Sequence, residues 1–180
     1  DYIDALALAY EREESSAAKD AIAQILTNSK MSAQGRRPMC QDTGLAVVFV
    51  KLGMEVKWSG ATMTVDEMIH EGVRRAYTHP DNKLRASVVK DPANRRVNSR
   101  DNTPAVIHYE VVPGSEIEIT VAAKGGGSEN KAKFTTLMPS DSLADWIVDV
   151  VPAMGAGWCP PGMLGIGVGG TAEKAMLMAK

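Results

Sequence analysis

"CQDTGLAVVFVKLG", residues 40–53, sets a thiol, an amide and a carboxylate at consecutive positions, Cys40, Gln41 and Asp42, and then runs directly into an unbroken apolar segment. That segment is short and rich in Val, and reads as a buried strand. The flanking sequence offers helices. On the N-terminal side, "YIDALALAYE" (2–11) and "AAKDAIAQILT" (17–27) carry apolar residues at three- and four-residue spacing, with a break at Ser15 and Ser16. On the C-terminal side, "MEVKW" (54–58) reads as a second strand. Thr64 with Glu67 three residues on forms a capping box for the helix "VDEMIHEGVRRAYT" (65–78), which Pro80 should end.

Residues 79–103 are polar and interrupted by prolines, and read as a long loop of the kind that often carries function. "AVIHYEVV" (105–112) and "EIEITVAA" (116–123) flank the turn signal "PGS", so an antiparallel hairpin is expected. Ser140 is expected to cap "DSLADWIVDVV" (141–151), and a Gly- and Pro-rich run leads to a last helix in "TAEKAMLMAK" (171–180). The expected fold class is mixed α/β of the α+β kind, with helices flanking a mostly antiparallel sheet and the chemically active loops at element ends.

The 180 residues are 44% hydrophobic and 23% charged, enough for one sizeable core, so a single domain or part of a larger one is expected. A net charge of -2, with Lys and Arg scattered, supplies no basic stripe for nucleic acid. No apolar run approaches the roughly 20 residues of a membrane span, and no signal peptide is evident, so a cytoplasmic protein is expected. The chain starts without Met and stops inside a helical pattern, as a piece of a longer polypeptide would. There is no internal repeat.

Chemistry concentrates in three loop segments: 40–44, "KGGGSENK" (124–131) and 158–170. Two of them hold the chain's two cysteines, Cys40 and Cys159. A lone cysteine is usually a small buried hydrophobe. Cys40, however, precedes polar Gln41 and Asp42, and Cys159 precedes two prolines, a context that recurs in iron-sulfur ligation. "KGGGSENK" offers unobstructed backbone N–H groups, a hydroxyl, an amide and two lysines, a cradle for a carboxylate or phosphate; it can equally be a flexible turn. "GIGVGG" (165–170) matches a dinucleotide fingerprint formally but follows a poor strand. His70, His79 and His108 show no ligand spacing and read as structural, while Arg74, Arg75 and Arg85 are either solvated or available to pair with carboxylates.

Taken in order, "CQDTG", "LRAS", "DNTPAVIH", "AAKGGGSENK" and "GWCPPGMLGIGVGGT" resemble the N-terminal catalytic region of the class I iron-sulfur fumarate hydratases and the related L-tartrate dehydratases. The resemblance runs from about residue 24 to the end. It implies that Cys40 and Cys159 are two of three cysteines holding a [4Fe-4S] cluster, with the third beyond this chain. It implies substrate contacts at Gln41 and Asp42, a carboxylate-binding role for Arg85, and a substrate-wrapping loop of Gly125 with Ser128, Glu129, Asn130, Lys131, Ala132, Lys133 and Phe134. Asp42 is the catalytic candidate within this chain.

The implied reaction interconverts fumarate and (S)-malate in the tricarboxylic acid cycle, with tartrate dehydration as the near alternative. From other classes, a dinucleotide-binding domain or a non-catalytic anion-binding module stands against it. The implied partners are a dicarboxylate substrate, a C-terminal domain or β subunit of the same enzyme, and a second copy in a homodimer. With only two of the ligands present, this piece alone is expected to be inactive and to lack a stable cluster.

Overall fold

The computed structural model describes residues 2–40 and 42–180. In chain order the elements are α1 (Tyr2–Arg12), α2 (Ser16–Gly35), β1 (Leu45–Gly53), α3 (Val65–Thr78), β2 (Val89–Lys90), β3 (Val97–Asn98), β4 (Val106–Val112), β5 (Ile117–Lys124), α4 (Gly126–Glu129), α5 (Leu143–Ala153) and α6 (Ala172–Ala179). The chain divides into two compact units, one formed by residues 40–130 and the other by residues 1–39 with 131–180. Among the described residues, no helix is long and apolar enough to cross a membrane.

In the 40–130 unit, β1 is the central strand of a three-stranded sheet ordered β4-β1-β5. Its apolar run explains that position. Ala46, Val47, Val48 and Val50 are all at most 3% exposed, so residues on both faces of this strand are shielded from water. On one face, Ala46, Val48 and Val50 form a core with Val73 of α3 and with Ala105, extended by Leu52, Ile69, Tyr77 and Ile107. The capping box forms as expected: the Thr64 side chain accepts from the Glu67 amide, and the Glu67 carboxylate accepts from the Thr64 amide. The same helix is tied to β4 by the Tyr109 hydroxyl, which donates to Asp66. Burial, reinforced by that carboxylate, pushes the Tyr109 hydroxyl up to about 12.

Four expectations about elements are corrected. The strands flanking "PGS" exist, but they do not pair with each other. β4 lies parallel to β1 on one side and β5 antiparallel on the other, so the sheet is only partly antiparallel. The intervening loop instead arches over the end of β1, where the Gly53 amide donates to Glu116 O at 2.9 Å and the Met54 amide to Val112 O at 2.9 Å. Inserting the most apolar strand between the other two gives both its edges hydrogen-bonding partners, which a simple hairpin would not. The same arch removes the strand expected at "MEVKW", because the Glu55 amide is captured by Gly114 O at 2.9 Å and the chain turns away. The long 79–103 loop contains a short antiparallel clip, β2 with β3. Finally, Ser142 rather than Ser140 caps α5, accepting from the Asp145 amide at 3.2 Å.

In the other unit, α2 begins where the Ser15 side chain accepts from the Ala18 amide, and it continues to Gly35, farther than its apolar spacing required. Met39 is strapped to this helix: its carbonyl accepts from Asn28 Nδ2 at 2.9 Å. The glycines of "GIGVGG" have a packing role. A Cβ at Gly165 would collide with the Ala179 carbonyl of α6, and one at Gly167 with that of Ala175. Among the described residues the element before them is α5 rather than a strand, so the dinucleotide reading loses the strand–turn–helix context that it requires.

Candidate functional site

The register of one strand pair builds the site. β1 and β5 are antiparallel with Leu45 opposite Lys124, which sets the residues before β1 beside those after β5. The loops 40–44 and 125–130 therefore meet at one end of the sheet. β4 enters parallel to β1, with Val106 opposite Val47, so the turn 101–104 before it reaches the same end. Contact between the first two loops demands glycine at position 44. Gly44 holds φ at 67°, and a Cβ there would overlap the Lys124 carbonyl.

Asp42 occupies the junction. Its Oδ2 accepts from the Gly127 amide at 3.1 Å and its Oδ1 from the Gly44 amide at 3.2 Å. The Gly127 amide is the largest influence on its carboxyl and holds it below the ordinary aspartate range. Partial burial works against this, and the Gly126 and Gly44 amides and the Arg85 charge add to the lowering. The glycine-rich loop is thus an anion cradle as its composition suggested, and the anion it holds is the side chain of Asp42. Asp42 also acts through its backbone: its amide donates to Cys40 Sγ at 3.4 Å.

Arg85 is an exposed side chain whose backbone is anchored, because the Thr43 hydroxyl donates to the Arg85 carbonyl at 2.6 Å. The 40–130 unit therefore assembles Cys40, Asp42, Arg85, Gly125 and the one-turn α4 that carries Ser128 and Glu129, with Asn130 as its C-cap. Gln41 lies outside the described residues. Arg74 and Arg75 are engaged within α3 and its neighbourhood: Arg74 pairs with Glu71 at 2.5 Å and Asp101 at 3.2 Å, and Arg75 with Glu71 at 2.7 Å. The Nε2 atoms of His70 and His108 are buried without a protein partner.

The remaining candidates belong to the other unit. The end of the Lys131 side chain lies over Gly157, where a Cβ would come within 2.8 Å of Lys131 Cε. The Trp158 ring covers Gly162 in the same way, so "GWCPPG" folds around Cys159, which is exposed and holds φ at 61°. Such a conformation is uncommon for a residue other than glycine and concentrates at functional sites. Ala132, Lys133 and Phe134 continue from Lys131 as exposed irregular chain. Both cysteines are thiols.

The donor set fits an iron-sulfur centre as far as this chain supplies it. The Asp42 backbone N–H is aimed at the sulfur of Cys40, the kind of contact that tunes cluster ligands. Among the described residues no three His, Cys, Asp or Glu side chains gather as a metal site.

Sequence reasoning missed the roles of Asn102 and Thr43. Asn102 is fully buried and bonded to the backbone of two other segments. Its signal was present in "DNTP", where a polar residue precedes an apolar strand, but no spacing announces contacts made to residues 58 and 15 positions away.

Residues 1–180 match the family model described as "Fumarate hydratase (Fumerase)". A relative from Methanocaldococcus jannaschii, provisionally named L(+)-tartrate dehydratase subunit alpha, is 36% identical over all of this chain and 64% of its own length. The anaerobic class I fumarate hydratase of Escherichia coli K12 is 31% identical over 95% of this chain and 31% of its own. Fumarate hydratase 2 of Leishmania major is 33% identical over all of this chain and 32% of its own. The chain thus spans less than two thirds of the first of these relatives and about a third of the other two.

Proposed function

Since this chain belongs to the fumarate hydratase family, we propose that it is the cluster-bearing part of a hydro-lyase that interconverts fumarate and (S)-malate. The observation that carries the reading is the meeting of Cys40, Asp42, Arg85 and the glycine amides at one end of the sheet, with the Asp42 amide bonded to the Cys40 sulfur. Cys40 and Cys159 would hold a [4Fe-4S] cluster with a third cysteine from the rest of the polypeptide. When bound, that cluster supplies a Lewis-acidic iron for the substrate hydroxyl.

The chain's own residues do the rest. The Arg85 guanidinium presents a planar fork to a substrate carboxylate, on a backbone fixed by Thr43. That contact strengthens as charge develops on the carboxylate during removal of the neighbouring proton. Asp42 stays ionised near neutrality, because its anion is held by backbone donors. A carboxylate so held suits orienting a proton-transfer group better than carrying the proton itself. Gln41 joins it at the substrate, and Ser128 to Phe134 wrap around it. The partner is a C-terminal domain or a β subunit, in an enzyme that we expect to be a homodimer.

Tartrate dehydration is the second reading. It is favoured by the relatives named as tartrate dehydratase α subunits, from Methanocaldococcus jannaschii and from Escherichia coli UTI89. The two substrates differ by one hydroxyl. Anaerobic reconstitution of the full-length parent with iron and sulfide, then assay with malate and L-tartrate, separates them. Turnover of malate supports the main reading, turnover of tartrate alone selects the second, and turnover of neither overturns both.

A further inference from the structure

Asn102 is 0% exposed, lies outside every regular element and holds φ at 58°. Its Oδ1 accepts from the amides of Ser87 at 2.7 Å and Val88 at 3.1 Å, and its Nδ2 donates to the Gly44 carbonyl at 3.0 Å. Thr43 makes a second link between the same two segments through its bond to the Arg85 carbonyl. The Tyr77 hydroxyl of α3 sits against both Asn102 and Thr43. Burying a polar side chain is unfavourable unless its groups are bonded. A primary amide carries donor and acceptor on one rigid plane, which the two backbones require here.

We propose that Asn102 is a positioning residue that locks the backbone next to Asp42 onto the segment carrying Arg85, so that carboxylate and guanidinium keep a fixed separation. It touches neither substrate nor cluster and acts through these two residues. This role rests on the hydro-lyase reading of the site.

Asn102→Asp in the full-length parent tests it. The variant keeps the acceptor for Ser87 and Val88 but sets an oxygen against the Gly44 carbonyl. Ionised, it repels Gly44; protonated, it donates again. The expected result is kcat/KM lowered at least about tenfold at pH 8, with the deficit shrinking toward pH 5. The charged groups around the position do not mimic this. Burial raises Tyr77, Asp101 is held at about 2, Asp42 is lowered and Arg74 raised.

Hydrogen exchange provides a readout independent of turnover. In the variant the Gly127 amide, bonded to Asp42, should exchange faster at pH 8 than in the wild type, while those of Ser87 and Val88 stay slow. An unchanged kcat/KM with a wild-type pH profile overturns the proposal, as does unchanged Gly127 exchange. A wild-type enzyme inactive on malate and tartrate overturns the hydro-lyase reading, and exchange still judges Asn102. If Asn102→Asp does not fold, Thr43→Val removes the other link and should lower kcat/KM without the pH dependence; an unchanged value there also overturns the proposal.

Discussion

Asp42 keeps its charge because its two oxygens accept from backbone donors on either side, Gly127 and Gly44. Replacing it with Asn preserves size but removes the negative charge that those donors select. If Asp42 orients proton transfer, Asp42→Asn in the complete enzyme keeps its iron and loses about a hundredfold or more in turnover. Iron content and rate are measured separately, so loss of iron alongside rate would place Asp42 in support of the metal instead. A second carboxylate is legible through acid stability. Burial alone would raise Asp101, but the Thr103 amide and hydroxyl and the Arg74 guanidinium outweigh it and hold the group at about 2, below the ordinary 3.8. A depressed folded-state value contributes stability above the unfolded value, and that contribution disappears as pH falls through the folded one. Urea unfolding between pH 4 and pH 2 should therefore weaken less steeply in Asp101→Asn than in the wild type, and equal slopes would deny the carboxylate this role.

Among the elements, α3 joins sequence logic to the site. Its capping box fixes where the helix starts, its apolar stripe of Ile69, Val73 and Tyr77 lies against β1, and Tyr77 carries the packing up to Asn102 and Thr43. Thr64→Ala removes the acceptor for the Glu67 amide and should cost about 1 kcal/mol in urea unfolding. The same substitution leaves β1, β4 and β5 unchanged in their pairing, so the sheet signature in circular dichroism should persist. The box was readable because every partner lies within one helical turn. The partners of β4 and β5 were not, since a turn signal such as "PGS" states that the chain reverses but not whether a third strand lies between its arms. The strand earlier in the sequence took that place because its apolar surface had the most to gain there.

For the whole molecule, ligand number is decisive. If Cys40 and Cys159 are the ligands that this chain contributes, they fall short of the three protein thiolates that a [4Fe-4S] cluster of the proposed kind needs. Anaerobic reconstitution of residues 1–180 should give no stable cluster absorbance, whereas the full-length parent should give it and should lose it in Cys40→Ser or Cys159→Ser. A stable cluster in the short chain, or one indifferent to both substitutions in the parent, would count against the ligand assignment. The sequence alone determined the longer helices, the buried strand and the family, because each rests on local periodicity, capping or contiguous motifs. The tertiary structure decided what those loops do to one another. Pairing Leu45 with Lys124 turned "KGGGSENK" from an open anion cradle into the seat of Asp42, and burying Asn102 fastened Gly44 to Ser87 and Val88. Those contacts join residues far apart in the chain, and strand register and burial fix them, neither of which a local pattern encodes.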